Sequence, residues 1–328
     1  MSHTLDAPIL VLADLDDAGR PTSAALELLA AARSLSPQAV ALVLGDTAAA
    51  SGAAPALATA GATRLLAAAV PALAGCAADA LAAAAQATGA AAVLVASDYR
   101  GKEIAGRAAI LLDSAASSDL ADLRLSEGAD AITASKLVLS GSWTTTSALA
   151  LGGPAPVLVI RPGAYEPLSD GVAELAPEAI DVAPAAESTS VELVESERTA
   201  AAAGPELTEA RTVVIGGRGV DGDFDLVRSL AEPLGAAVGA TRVACDEGWI
   251  ERSAQVGQTG VSVSPRLYIG LGVSGAVHHT SGIQGAQTIV AVCDDSEAPI
   301  FEMADFGVIG DVAEVVPQMV AELARQCG

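Results

Sequence analysis

Short, continuously apolar runs recur along the chain, separated by longer stretches in which alanine and leucine hold a helical spacing. ILVLADL from Ile9, AVALVLG from Ala39 and AAVLVAS from Ala91 have the unbroken apolar character of strands buried on both faces. SAALELLAAARSL from Ser23 and ADALAAAAQAT from Ala78 lie between such runs and read as helices. Strands that alternate with helices predict a mostly parallel sheet covered on both sides.

The pattern restarts at Arg211. RTVVIGG is followed by a helix expected over Asp223 to Leu234, then by AAVGATR, LYIGLGV and TIVAVCD as further strands, with a last helix over Val312 to Gln326. The zone between, roughly Glu166 to Pro205, is rich in Ala, Glu, Pro and Ser. It holds two strand-like pieces, Val172 to Val182 and Val191 to Ser196, expected to complete the first sheet. The resulting expectation is an α/β protein with two doubly wound, mostly parallel sheets, in domains 1–205 and 206–328.

Length and charge agree with that picture and narrow the partners. A chain of 328 residues is long for one domain and suits two, each able to bury a core. A net charge of -23 repels nucleic acid and anionic membranes. Ala80 to Ser97 and Gly141 to Ile160 are uncharged and long enough to be considered as spans. Polar residues and a Gly-Gly-Pro break make each read instead as a helix or loop running into a buried strand. The start, MSHTLDAPILVLADLDD, lacks the basic opening and cleavage site of a signal peptide, so a cytoplasmic protein without membrane insertion is expected. Cys76, Cys245, Cys293 and Cys327 have no CxxC spacing, and the adjacent His278 and His279 point apart on any regular element, so no metal site is indicated.

The candidate chemistry is concentrated in Gln255 to Val277. Here a Gly-Gln-Thr-Gly loop, a short apolar strand and a Gly-Val-Ser-Gly turn follow one another. Glycines let a backbone approach a phosphate, and a strand feeding a helix start aims free N–H groups at an anion. Gln258 and Thr259 can hydrogen-bond the heteroatom edge of a ring, and Ser274 sits where a phosphate or ribityl oxygen would lie. Ligands of doubly wound sheets bind beyond the carboxyl ends of the strands, and Arg218, Arg242, Gly257 to Thr259, Ser274 and Cys293 all fall at or just after such ends. Taken alone, each has a plainer role: Arg218 as a surface arginine, Thr259 as a turn residue, His279 as a satisfied or capping histidine.

VVIGGRGV (213–220), GATRVACDEGW (239–249), the 255–277 core and TIVAVCDDSEAPIFEMADFGVIGD (288–311) stand in one order. Together they resemble the C-terminal domain of the alpha subunit of electron-transfer flavoprotein, over about 100 residues; the rest of the chain resembles that family only in pattern. The resemblance implies bound FAD in a Rossmann-like or DHS-like domain. The residues it implicates are Arg218, Thr241, Arg242, Val256, Gly257, Gln258, Thr259, Ser274, Gly275, Ala276, Val277, His278, His279, Cys293, Asp311 and Val312. In it Arg242 lies beside the isoalloxazine ring, where a guanidinium that keeps its proton stabilises an anionic semiquinone. Thr259 lies near N5, and His279 lies near the pyrimidine carbonyl as an N–H donor or imidazolium. Asp311 matches the aspartate at the adenosine end, and it equally suits the N-cap of the last helix. IFEMADF (300–306) is expected to pack as core.

The departures from that family are Val261 in place of a lysine, and Cys293, Asp294 and Asp295 in place of Asn-Lys-Asp. Two positive charges are therefore absent, and a thiol replaces a stronger hydrogen-bonding carboxamide. The resemblance implies a non-enzymatic electron carrier, paired with an electron-transfer flavoprotein beta subunit. It would take electrons from flavin dehydrogenases such as those of fatty acid beta-oxidation and pass them to a quinone oxidoreductase or another acceptor. The alternative is a nucleotide-binding regulatory or partner subunit that has lost flavin redox function. An NAD-dependent dehydrogenase is disfavoured, because no GxGxxG opens either half and no positioned acid–base pair is evident.

Overall fold

The first parallel sheet is built from runs that have no polar face. β1 (Ile9–Leu12), β2 (Ala39–Leu44), β3 (Arg64–Ala68) and β4 (Ala92–Ala96) alternate with α1 (Ser23–Leu35), α2 (Thr47–Thr59), α3 (Ala74–Thr88) and α4 (Tyr99–Leu111). In this computed structural model residues 4–139, 143–171, 174–195, 204–208 and 210–327 are described. α1, α2 and α4 each start at a side chain that caps a free N–H: Thr22 to Ala25, Asp46 to Ala49, and Asp98 to Gly101. α3 carries small buried residues, among them Cys76, Ala77, Ala80 and Ala84, and these let it lie close on the sheet.

After β5 (Ala116–Leu120) the chain makes a separate three-stranded sheet from β6 (Asp122–Leu125), β7 (Ala131–Val138) and β8 (Trp143–Ala150), then returns as β9 (Val157–Ile160) and β10 (Pro177–Ile180). The large sheet has the order β10-β3-β2-β1-β4-β9-β5 with every pairing parallel. Its winding reverses between β1 and β4.

Three expectations need correction. Val172 lies outside the described residues, and the described part of the piece to Val182 forms the four-residue edge strand β10, with proline at the first position, where a missing N–H costs no ladder bond. Val191 to Glu195 forms no strand, and Ser196 lies outside the described residues. Its alternation of valine and glutamate resembles a half-buried strand, yet Val191, Leu193 and Val194 are all exposed, so no apolar face is buried to hold one. In the run Gly141 to Ile160, expected as a helix or loop running into a buried strand, Gly141 and Ser142 lie outside the described residues, Trp143–Ala150 is the exposed strand β8, and Val157–Ile160 is the buried strand β9.

The second sheet follows β11 (Thr212–Gly216), α5 (Phe224–Ala231), β12 (Ala237–Ala240), α6 (Arg242–Asp246), β13 (Leu267–Leu271), α7 (Val277–Thr280), β14 (Thr288–Cys293), β15 (Phe306–Ile309) and α8 (Val312–Cys327). Asp223 caps α5 by accepting from Leu226. The order is β12-β11-β13-β14-β15, again wholly parallel, and the winding reverses between β11 and β13. Ile300 is core, as expected of IFEMADF, but Phe306 opens an exposed edge strand instead. By contact the chain divides into two units, residues 1–138 with 144–196, and 197–328 with 139–143.

Candidate cofactor site

At the reversal between β11 and β13 the backbones themselves touch. Gly217 N–H donates to the Leu271 carbonyl at 2.8 Å and Gly219 N–H to the Gly272 carbonyl at 3.0 Å. A Cβ on Gly272, which has φ +61°, would lie 2.5 Å from the Gly219 backbone. Glycine is required there, and the two strand ends are drawn together into one floor.

Above that floor opens a cavity of about 420 Å³. It is lined by Arg218 after β11, Thr241 and Arg242 after β12, the loop residues Val256, Gly257 and Thr259, the turn Ser274, Gly275 and Ala276, then His278, His279 and, at the end of β14, Cys293. The strand-end reading thus collects residues spread over 76 positions of sequence into one crevice. Gln258, Val277, Asp311 and Val312 fall outside the lining. Gln258 is exposed and bonded to His278, and Val277 is exposed. Asp311 caps α8 by accepting from Ala313 N–H at 2.8 Å, and Val312 is buried in the core beneath that helix.

The lining also holds Gln255 and Val243, which sequence reasoning did not single out, and Asp294 and Asp295, known from the sequence only as departures from the family pattern. Gln255 is buried, and its side-chain amide donates to the Thr259 hydroxyl at 2.9 Å. Thr259 therefore accepts from inside the protein and keeps its own proton for an acceptor in the cavity. A glutamine opening the motif was the available signal. Asp294 and Asp295 place two carboxylates at the β14 end of the cavity.

The two arginines differ. Arg242 is tied to Asp246, Nε to Oδ2 at 3.2 Å, while Arg218 has no ion-pair partner among the described residues. The two histidines diverge as expected of neighbours on a helical turn. His278 is exposed, and its Nδ1 donates to Gln258 Oε1 at 2.7 Å. His279 is buried, with Nδ1 3.0 Å from the Val256 carbonyl and Nε2 2.8 Å from the Tyr268 hydroxyl. A carbonyl only accepts, so Nδ1 carries the proton and Nε2 accepts from the phenol. Burial pushes the His279 pKa down to about 4 and holds the Tyr268 phenol well above its usual range. Of the two forms the resemblance implied at His279, an N–H donor or an imidazolium, desolvation disfavours the charged one at neutral pH, and both ring nitrogens are engaged within the protein.

A crevice at the winding reversal of a doubly wound sheet, with paired glycine loops, an arginine without an ion-pair partner and a threonine hydroxyl with a free proton, defines a protein that holds a nucleotide-type cofactor. Those groups fit FAD: arginine and backbone N–H suit a pyrophosphate, and hydroxyl donors suit a ring edge. Comparison with known proteins narrows the class. Residues 206–284 match the electron transfer flavoprotein FAD-binding domain, and residues 9–200 match the electron transfer flavoprotein domain. The electron transfer flavoprotein subunit alpha of Mycobacterium leprae (strain TN) is 43% identical over 74% of this chain and 74% of its own length. That of Syntrophomonas wolfei subsp. wolfei is 37% identical over 71% and 73%. Protein FixB of Clostridium saccharobutylicum is 31% identical over 70% and 69%. The chain belongs to the electron transfer flavoprotein alpha-subunit family, and its second unit is an FAD-binding domain.

The likeness reaches further at one end than the motifs suggested and less far at the other. The N-terminal two thirds, similar by motif only in pattern, match a family domain over residues 9–200. The FAD-binding match stops at 284, before the block that carries Cys293, Asp294 and Asp295.

Proposed function

We propose that the chain is the FAD-binding subunit of a heterodimeric electron carrier, paired with a beta subunit. The observation that carries this reading is the crevice between β11 and β13, where Arg218 and the free proton of Thr259 face one cavity. Bound FAD supplies one-electron chemistry. Arg218 holds the anionic part of the cofactor, and Arg242 sets a permanent positive charge beside the ring. Thr259, steadied by Gln255, donates to a ring acceptor. The protein has no substrate of its own. Electrons come from flavin dehydrogenases, such as the acyl-CoA dehydrogenases of fatty acid beta-oxidation, and leave for a quinone oxidoreductase or another acceptor.

The first domain, ending near residue 205, contributes the subunit interface, and the complex works in the cytoplasm. In support, no helix among the described residues is long and apolar enough to cross a membrane. The departures from the family pattern at Val261, Cys293 and Asp294, the last two in the lining, favour a second reading, a nucleotide-binding regulatory subunit without redox function. The test is the visible spectrum of the chain purified with its candidate beta subunit, followed by stepwise anaerobic reduction. A flavin spectrum that stops at the one-electron level supports the carrier. A folded, colourless heterodimer overturns it in favour of the regulatory reading.

A further inference from the structure

The loop that presents Thr259 is held from several sides. Val256 N–H donates to the Ala240 carbonyl at the end of β12, at 2.9 Å, and Gln258 N–H donates to the His278 carbonyl at 2.7 Å. On its inner side the Val256 carbonyl accepts from His279, whose other nitrogen accepts from Tyr268. Tyr268 is wholly buried on β13, and among the described residues its hydroxyl has no other partner. Its ring lies along its own strand over Gly270, where a Cβ would meet the ring edge and the hydroxyl at 3.0 Å. A glycine two positions on thus leaves the space that the phenol occupies.

We propose that Tyr268 is a positioning residue for the cofactor site: its hydroxyl fixes His279 as the neutral Nδ1–H tautomer, and that tautomer pins the Val256 carbonyl and with it the loop carrying Thr259. The inference rests on the FAD-binding reading of the cavity and deepens it. Were Nε2 the protonated nitrogen, Nδ1 would face the Val256 carbonyl with a lone pair, and the loop would lose its inner anchor. The histidine at the family's ring-facing position acts here as a strut, and the permanent positive charge of the lining comes from Arg218 and Arg242. Tyr268 is the titratable side chain in contact with His279. Arg218, Arg242, His278, Asp294 and Asp295 share the cavity wall.

The chain has three histidines, so ¹⁵N-histidine labelling of the full chain gives three imidazole systems, with His278→Gln used for assignment. The expected result for His279 is a protonated Nδ1 and an unprotonated Nε2 from pH 5 to 8, with cofactor present or absent. In Tyr268→Phe the Nε2 resonance should move toward that of an unbonded nitrogen, and FAD should dissociate about 5- to 10-fold faster, as expected for one lost hydrogen bond. An imidazolium or an Nε2–H tautomer in the wild-type chain overturns the proposal. So does a Tyr268→Phe chain with an unmoved Nε2 signal or unchanged FAD release. A chain that shows the expected tautomer but never binds FAD fails the cofactor reading instead, so the two failures are separable.

Discussion

The two parallel sheets reverse their winding in the same way, yet the crevices at the two reversals are finished differently. In the first sheet the cavity beyond β1 and β4, about 360 Å³, is lined by Asp14, Asp98 and Arg100 among apolar neighbours. Arg100 turns inward, its Nη1 donating to Asp14 at 2.8 Å and its Nε to the Ala72 carbonyl at 3.2 Å. Asp98 is engaged in capping α4. In the second sheet, among the described residues, Arg218 has no such partner and Thr259 retains a free proton. Topology makes a crevice in both units, and side-chain pairing leaves only the second ready for an anionic ligand.

The largest expected effect separates the floors of the two crevices. Gly272→Ala would place a Cβ 2.5 Å from the Gly219 backbone at φ +61°, with no flexible side chain to yield. It should cost about 3 kcal/mol or more and abolish FAD retention. Gly45, which follows the lining residue Leu44 at the end of β2, also has positive φ, but a Cβ there meets only Ala49 Cβ at 3.4 Å. Gly45→Ala should cost about 1 kcal/mol and leave flavin content unchanged. Chemical denaturation and absorbance at the flavin band check both, and equal losses would break the comparison.

Acidification should change the stability of the two units with opposite sign. Burial lowers the folded pKa of His279 from 6.5 to about 4. Between those values the unfolded chain binds the extra proton, so this contribution is present above pH 6.5 and is lost as pH falls toward 4, by up to about 3 kcal/mol. Asp14 runs the other way. Burial raises its pKa despite Arg100, so its contribution is present below the ordinary carboxylate range and is lost as pH rises past the raised value. Amide exchange in β11 and β13 against β1 and β4, followed over pH, reads the two signs separately. A flat response in the second unit would contradict the neutral histidine.

Charge removal in the open crevice comes next. Arg218→Ala should weaken FAD binding about 10- to 100-fold, the worth of one charge-assisted hydrogen bond, while the fold stays intact. Arg242→Ala should retain FAD and reduce the fraction of flavin that stops at the one-electron level during anaerobic titration. Equilibrium dialysis and the reduction spectra distinguish the two roles. Loss of FAD from Arg242→Ala alone would exchange the assignments.

What could be read from the sequence follows from where burial is symmetrical. β1, β2 and β4 are buried on every residue but Leu44, so their apolar runs announce them, and the helix expected over Ser23 to Leu35 is α1 residue for residue. β8 and β15 escaped because all of β15 and all of β8 but Leu149 are exposed, so nothing in WTTTSALA or FGVI alternates against a core. The crevice residues were legible through the strand-end rule, since that rule depends only on element order. The pairings inside it were not. Gln255 reaches Thr259 and Tyr268 reaches His279 through loop and turn geometry that spacing does not encode. The sequence left His279 open between an N–H donor and an imidazolium because it shows a histidine near a cofactor motif and not the phenol beneath it.

The smallest expected effect tests whether the first crevice is closed by its ion pair. Arg100 and Asp14 are each about a third exposed, so screening limits the pair to about 1 kcal/mol. Arg100→Ala should cost about that much stability in the first unit and leave flavin content and reduction behaviour unchanged. It also removes the positive neighbour from a carboxyl that burial already drives toward its neutral form. Adding Asp14→Asn should then recover part of the loss, because the amide spares the desolvation of an unpaired charge. Denaturation of the single and double variants measures that recovery. If the double variant is less stable than Arg100→Ala, Asp14 contributes more than its pairing, and the two crevices differ by something other than how their charged side chains are engaged.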